Sequence, residues 1–120
     1  MSKLQGFSEA EQPRLDLHGA FIRRTSLRGA ILTRANLSNA DCSWADFSEA
    51  LLQNANLSGA NLSFAILRGA DMLHANLDKT NLSGADLTGA RNLTKEQLAT
   101  AIVDIATRLP SEFTRSSTAA

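Results

Sequence analysis

The stretch NANLSGANLSFAILRGADMLHANL, residues 54–77, repeats alanine and a large apolar residue at intervals of five positions. This spacing fits neither regular secondary structure. In an α-helix, five residues turn the chain by roughly 500°, so successive leucines would spread around the helix cylinder. In a flat strand, an odd spacing sends every second leucine to the opposite face of the sheet.

The same period extends in both directions from this stretch. Every fifth residue from Leu17 to Leu87 is apolar, and the residue two positions before each of them is alanine except at Leu15, Thr25 and Thr80. A chain that bends by the same angle after each unit would present all of these residues to one axis. Short repeats of fixed length stack into solenoids of this kind. The sequence therefore predicts a coil with a narrow core of leucine and alanine.

The composition limits the functions that this chain can serve. Its 12 basic and 12 acidic residues cancel, so no net field favours direct binding to nucleic acid or to an anionic membrane. The single cysteine, Cys42, cannot form an internal disulfide, and no apolar run has the length of a secretory signal or a membrane span. We expect a single cytoplasmic domain that does not bind membranes.

Several units share one pattern: ADFSE at 45–49, ANLSG at 55–59 and ADLTG at 85–89. They resemble the pentapeptide-repeat family, whose unit is alanine, aspartate or asparagine, leucine and two variable residues. The resemblance covers residues 15–91. It implies an all-β solenoid, a right-handed quadrilateral β-helix of about four coils, in which four units complete each coil and residues 20 apart lie on top of each other.

Different patterns flank the repeat. After residue 91, Thr94 and Gln97 have the spacing of a capping box, which predicts the start of a helix. An apolar stripe follows at helical spacing, formed by Leu98, Ala101, Ile102 and Ile105, and Pro110 would end the helix. We therefore predict a C-terminal capping helix within residues 92–110, acting either as a lid on the last coil or as a dimer contact.

The two ends of the chain are predicted to be less ordered. Residues 1–14 would be a weak cap or a mobile segment, and residues 111–120 a disordered tail. If residues 1–14 cap the first coil poorly, its open edge could pair with another copy of the chain. The chain would then be a monomer or an end-to-end homodimer.

No set of residues predicts catalysis, a cofactor or a metal site. Catalysis needs polar groups that converge in a concave site, and a convex rod with leucine and alanine turned inward offers none. Cys42 falls at an inward position, where a buried thiol is inert. The Asp and Asn residues that precede the leucines are expected to hydrogen-bond the local backbone in a repeated turn.

Two groups of surface residues are candidates for binding a protein partner. Trp44 and Phe64 lie 20 residues apart and would stack on the outside of the rod, and Ile31 and Leu51 would form a second outward pair. The other group is basic and falls in a stretch with no acidic residue from 17 to 40: Arg23, Arg24, Arg28 and Arg34. Isolated apolar side chains and solvated arginines are also common on surfaces that bind nothing.

Two functions are consistent with this sequence. The leading interpretation is a non-enzymatic structural or protein-protein interaction module, whose partner is an unidentified protein. The alternative comes from the family: its best-understood members imitate the charge and shape of duplex DNA and bind DNA gyrase. Such mimicry requires a long and strongly negative rod, whereas this repeat is short and has balanced charge.

Overall fold

The computed structural model describes residues 14–113, and within them the repeat forms a right-handed quadrilateral β-helix. Strand pairing is limited to parallel bridges of one residue, each joining positions 20 apart over most of the chain. The predictions for residues 1–13 and 114–120 lie outside the described residues. The predicted fold class and the four units per coil are confirmed.

We name the four walls of the rod by their bridge residues. Wall A contains Asp16, Asn36, Asn56 and Asn76; wall B contains Phe21, Asp41, Asn61, Asn81 and Ile102; wall C contains Ser26, Asp46, Ile66, Asp86 and Arg108; wall D contains Ile31, Leu51, Asp71 and Arg91. Because the chain visits the walls in this order, walls B and D lie on opposite sides of the rod.

In ten of the fifteen units from residue 15 to residue 89, an Asp or Asn side chain stabilises the tight turn. In the unit that begins at Ala55, the Asn56 Oδ1 atom accepts hydrogen bonds from the Ser58 amide (3.0 Å) and hydroxyl (2.7 Å). Gly59 then adopts a left-handed conformation with φ 67°, and the Ala60 amide donates to the Leu57 carbonyl at 3.0 Å. The same arrangement recurs around the rod, as expected for Asp and Asn in turns.

The core consists of the inward leucines and alanines of successive coils. Leu37, Leu57 and Leu77 are fully or almost fully buried on one wall, and Cys42 is buried as predicted. Thr80 replaces an alanine without leaving its hydroxyl unpaired, because that hydroxyl donates to the Leu57 carbonyl at 2.6 Å. The narrow core therefore contains one large apolar side chain and one small side chain per unit, mostly leucine and alanine.

The predicted C-terminal helix is much shorter than its apolar stripe suggested. Helix α1 covers Lys95–Thr100, and Ala101 is extended. The following residues return to the solenoid, since Ile102 pairs with Asn81 and Arg108 pairs with Asp86. The prediction of a helix to residue 110 is wrong because the edge of the preceding coil offers unpaired backbone groups, which an extended chain satisfies and a helix does not.

Helix α1 is nevertheless attached to the last full coil. The predicted capping box is present, with the Thr94 hydroxyl accepting from the Gln97 amide at 3.1 Å. The Gln97 side-chain amide donates to the carbonyls of Met72 (2.8 Å) and Ala75 (3.0 Å), and Leu98 packs against the core. One helix turn therefore covers wall A at the C-terminal end of the rod.

The residues after Pro110 differ from the predicted disordered tail. Residues 111–113 are helical, and Phe113 packs against the core while remaining partly exposed. The prediction is wrong for these three residues because Phe113 gains apolar contact that a mobile tail would forgo.

Candidate protein-binding wall

Two aromatic rings stack at the edge of wall B, where it meets wall C. Trp44 and Phe64 occupy the same corner position of successive coils, with ring centroids 4.6 Å apart and an angle of 13° between the ring planes. The distance matches the spacing of roughly 4.8 Å between paired strands, so the coil repeat itself sets the stacking distance. Each side chain remains close to half exposed, at 46% and 47%.

The aromatic pair continues into a longer ladder. The Arg24 guanidinium carbon lies 5.2 Å from the centroid of the Trp44 ring, a cation–π distance. On the other side, a Cβ atom added to Gly84 would lie 2.5 Å from the Phe64 ring, so this ring covers the glycine. We call Arg24, Trp44, Phe64 and Gly84 the wall B ladder. Arginine and glycine cover the outer ring faces, while the ring edges point to solvent.

The ladder residues adopt an unusual backbone conformation. Trp44 has φ 63° and Phe64 has φ 60°, in the left-handed region that bulky side chains avoid. The repeat imposes this conformation at every corner, including those with glycine. Asparagine or glycine at these two corners would relieve the strain, so the aromatic side chains are held there at a cost to stability.

Further apolar side chains extend wall B toward both ends of the rod. Phe21 is 88% exposed in the first coil, Ile102 is 51% exposed in the last, and Ile105 projects fully into solvent at the adjoining corner. Sequence reasoning missed Phe21, although its place in the column of Asp41 was a usable signal. It assigned Ile102 and Ile105 to a helix stripe, and this assignment is corrected by the bridge between Ile102 and Asn81.

The second predicted pair lies on the opposite side of the rod. Ile31 and Leu51 form a bridge on wall D, with Ile31 76% exposed and Leu51 half-buried. Leu73 adds a smaller exposed area on the same wall. The structure therefore does not bring the two candidate pairs together, since they lie on walls B and D.

The four arginines do not form the single basic patch that their proximity in the sequence suggested. Arg23 lies on wall B, where its Nε atom donates to the Ser43 hydroxyl (2.9 Å) and lies 3.9 Å from an Asp41 oxygen. Arg28 lies on wall C and pairs with Asp46 at 3.5 Å. Arg34 lies at the corner between walls D and A. Because each unit turns the chain, arginines five or six residues apart face different directions.

One cavity was not predicted from the sequence. It has a volume of about 350 Å³, opens between walls D and A, and is lined in part by Arg14, Asp16, Arg34, Asn36 and Asn54. These side chains offer hydrogen bonds and charge, but they include no hydroxyl or thiol nucleophile beside a base. Across residues 14–113, no group of three His, Cys, Asp or Glu side chains is arranged to hold a metal ion.

The thiol of Cys42 is unsuited to chemistry. Burial, with a smaller contribution from the negative charge of Asp41, raises its pKa to about 12. The thiol therefore stays protonated at neutral pH, and only the thiolate is a good nucleophile or metal ligand.

Comparison with known proteins agrees with this geometry. The family model for pentapeptide repeats matches residues 16–54 and 55–91, with eight copies of the repeat model. The chain belongs to the pentapeptide-repeat family. A search of curated protein sequences returns no match. None of the helices within residues 14–113 is both long and apolar enough to cross a membrane.

Several solved structures of pentapeptide-repeat proteins are similar to this chain. Trypsin-treated QnrB1, a plasmid-mediated fluoroquinolone resistance protein, superimposes with a TM-score of 0.59 at 20% identity, over 81% of this chain and 48% of that chain. Rfr23 from the cyanobacterium Cyanothece matches at 27% identity over 79% of this chain and 88% of that chain, with a TM-score of 0.37. HetL from Nostoc matches at 31% identity over 78% and 46%, with a TM-score of 0.36. This pentapeptide-repeat chain thus spans about half the length of that trypsin-treated QnrB1 chain and of HetL.

Proposed function

We propose that this pentapeptide-repeat protein is a non-enzymatic interaction module that binds protein through wall B. The observation that carries the proposal is the pair of stacked, half-exposed rings of Trp44 and Phe64 at strained left-handed corners. Large aromatic side chains dominate the energetics of protein interfaces. The fold requires the left-handed conformation at every corner but does not require a bulky aromatic residue there, and side chains kept in a strained conformation are typical of functional sites.

The composition of the rest of wall B supports the same function. Phe21 and Ile102 place exposed apolar area above and below the rings, while Asn61 and Ser63 provide polar groups between them. Apolar anchors within polar surroundings are the usual composition of a protein interface. The exposed apolar side chains of wall D are aliphatic, and these seldom act as the main anchors of an interface.

Mimicry of DNA has less support. A DNA mimic needs rows of unpaired carboxylates, but Asp46 is paired with Arg28 and Asp86 is paired with Arg68 at 3.1 Å. QnrB1 is described as a fluoroquinolone resistance protein, and its 20% identity to this chain supports a shared fold alone.

A quantitative pull-down from lysate of the source cells tests wall B. Three tagged proteins are compared: the wild type, Trp44→Ala with Phe64→Ala, and the wall D control Ile31→Ala with Leu51→Ala. We expect the wild type and the wall D control to recover the same proteins, untagged copies of this chain included, and the wall B variant to recover at least about tenfold less.

Matched melting temperatures would show that the variants are folded. Equal recovery by all three proteins would remove wall B from the binding function. If the wild type recovers nothing, its own chain included, the interaction function itself is wrong.

A further inference from the structure

We propose that the partner seated on wall B is a second copy of this chain, packed face to face and antiparallel about a twofold axis that crosses the wall at the coil of Phe64. This inference rests on the proposed function, and it names the occupant of the same wall. Along wall B, the order of side chains from one end of the rod to the other is complementary to the same order reversed.

The apolar side chains match when the order is reversed. Wall B has five levels, represented by Phe21, Asp41, Asn61, Asn81 and Ile102 in the bridge column. A twofold axis at the middle level keeps each column opposite itself and exchanges the first level with the fifth. Phe21 of one copy then faces Ile102 of the other, so the two most exposed side chains of the bridge column cover each other.

The ladder matches in shape. Under the same axis Phe64 faces its own counterpart at the centre, and Trp44 faces Gly84. The bulkiest side chain of the ladder therefore meets the level that carries no side chain of its own, where the Phe64 ring lies over Gly84. A parallel arrangement would keep Trp44 at the level of the partner copy's tryptophan and would not pair it with Gly84.

The charges match as well. Arg24 lies at the first level of the ladder, and Asp104 lies at the fifth, beneath Gly84. The Asp104 carboxylate accepts a hydrogen bond from the Gly84 amide at 3.1 Å. Reversal places Arg24 of each copy beside Asp104 of the other, which gives two opposite-charge contacts per dimer. In a parallel dimer each level would face itself, so Arg24 and Asp104 of the two copies would lie at opposite ends of the wall and gain no opposite-charge contact.

The size of the wall indicates a reversible dimer. Five levels at roughly 4.8 Å make the wall about 19 Å tall. The area that a wall of this height can bury is at the low end of the range for stable protein interfaces. We therefore expect a dissociation constant on the order of micromolar. Closed twofold symmetry limits the assembly to two copies.

Charge reversal distinguishes this dimer from other arrangements. Sedimentation velocity of the full chain, from about 1 to several hundred micromolar, should show a monomer–dimer equilibrium for the wild type. Arg24→Glu and Asp104→Lys should each weaken dimerisation by about tenfold or more, because each turns both attractive contacts into repulsive ones. Mixing the two variants in equal amounts should restore the dimer, since both contacts in the mixed pair are again attractive. Arg24→Glu is compatible with the fold because Glu49 occupies a left-handed corner of the same type.

A cross-linking experiment covers the case in which Asp104→Lys disturbs the last coil. Ser63 lies at the middle level beside the twofold axis, so Ser63→Cys should cross-link to itself through a short bis-maleimide. The control Thr88→Cys lies on wall C and should not. Cys42 does not interfere, because it is fully buried.

The outcomes separate the two proposals. A wild type that remains monomeric at every concentration and a Ser63→Cys variant that does not cross-link would overturn the dimer. If the same protein still captures another protein through wall B, the proposed function stands and only the choice of partner is wrong.

Discussion

Residues 35–90 and residues 91–113 both stack on the preceding coil, but they satisfy its backbone in different ways. In the repeat, main chain pairs with main chain: the Leu57 amide donates to Asn76, and the Asn76 amide donates to Ala55, both at 2.9 Å. In residues 91–113, which we call the closing segment, side chains form part of the hydrogen bonds to the preceding coil. The Gln97 amide group reaches two carbonyls, the Asp104 carboxylate accepts from Gly84, and the Thr107 hydroxyl donates to Leu82 at 2.8 Å.

This difference shows how a solenoid can end. A regular coil exposes unpaired backbone donors and acceptors at its edge, and adding another regular coil would expose the same groups at the new edge. Long polar side chains satisfy these groups while presenting no new regular edge. The repeat is therefore stabilised by the same backbone hydrogen bonds in every coil, whereas the closing segment also depends on hydrogen bonds from individual side chains.

The largest effect is expected from a charge placed in the repeat. Leu57→Asp puts a carboxylate among buried leucine and alanine side chains, and we expect a loss of about 4 kcal/mol or more in unfolding free energy. In the closing segment, Ile105→Asp should change stability by less than about 0.5 kcal/mol, because Ile105 is fully exposed. Urea unfolding followed by far-UV circular dichroism measures both. A Leu57→Asp protein that melts within a degree or two of the wild type would contradict the register of the core.

A smaller effect is expected where one side chain holds the closing segment. Gln97→Ala removes the two hydrogen bonds to Met72 and Ala75 and half of the capping box, at a cost of about 1–3 kcal/mol. Gln97→Glu is the matched variant, since a carboxylate still accepts from the Thr94 amide but cannot donate to the carbonyls at neutral pH.

Thermal unfolding of the two Gln97 variants separates the roles of this side chain. If Gln97→Glu is as stable as the wild type, the capping box alone holds the segment. If both variants lose stability, donation to the coil edge is what fixes helix α1.

The smallest effect is expected from the acidic turns of the repeat, and it depends on pH. The Ser48 hydroxyl, which donates to Asp46 at 2.6 Å, is the largest influence on the pKa of Asp46 and lowers it; burial opposes this, and the Ser48 amide and Arg28 also lower the pKa. A carboxyl with a lowered folded-state pKa stabilises the fold above its unfolded-state pKa. This contribution is lost as the pH falls below about 4, through the folded-state value.

Asp46→Asn tests this dependence and the equivalence of the turns. Asn56 fills the same turn elsewhere, so the substitution should change stability at pH 7 by less than about 1 kcal/mol. Its unfolding free energy should also fall less steeply than that of the wild type between pH 5 and 2. An unchanged pH profile would show that Asp46 does not contribute to acid unfolding.

The site was only partly predictable from the sequence. The column of Trp44 and Phe64 followed from the period once four units were assigned to a coil, and the structure stacks the two rings. The grouping of the four arginines failed because proximity along the chain was taken for proximity in space. Ile102 was misassigned because an apolar residue at helical spacing is also an apolar residue on a strand, and the local pattern does not separate the two.

The sequence by itself determined the coil, because an apolar residue at every fifth position has only one way to reach a common core. It also determined most of the turns, since ten of the fifteen units from residue 15 to residue 89 carry an Asp or Asn that accepts hydrogen bonds within its own turn. Only the tertiary structure decided the end of helix α1 and the placement of Ile102 on the same wall as Phe21. Both depend on contacts between residues about 20 positions apart, which no local pattern contains.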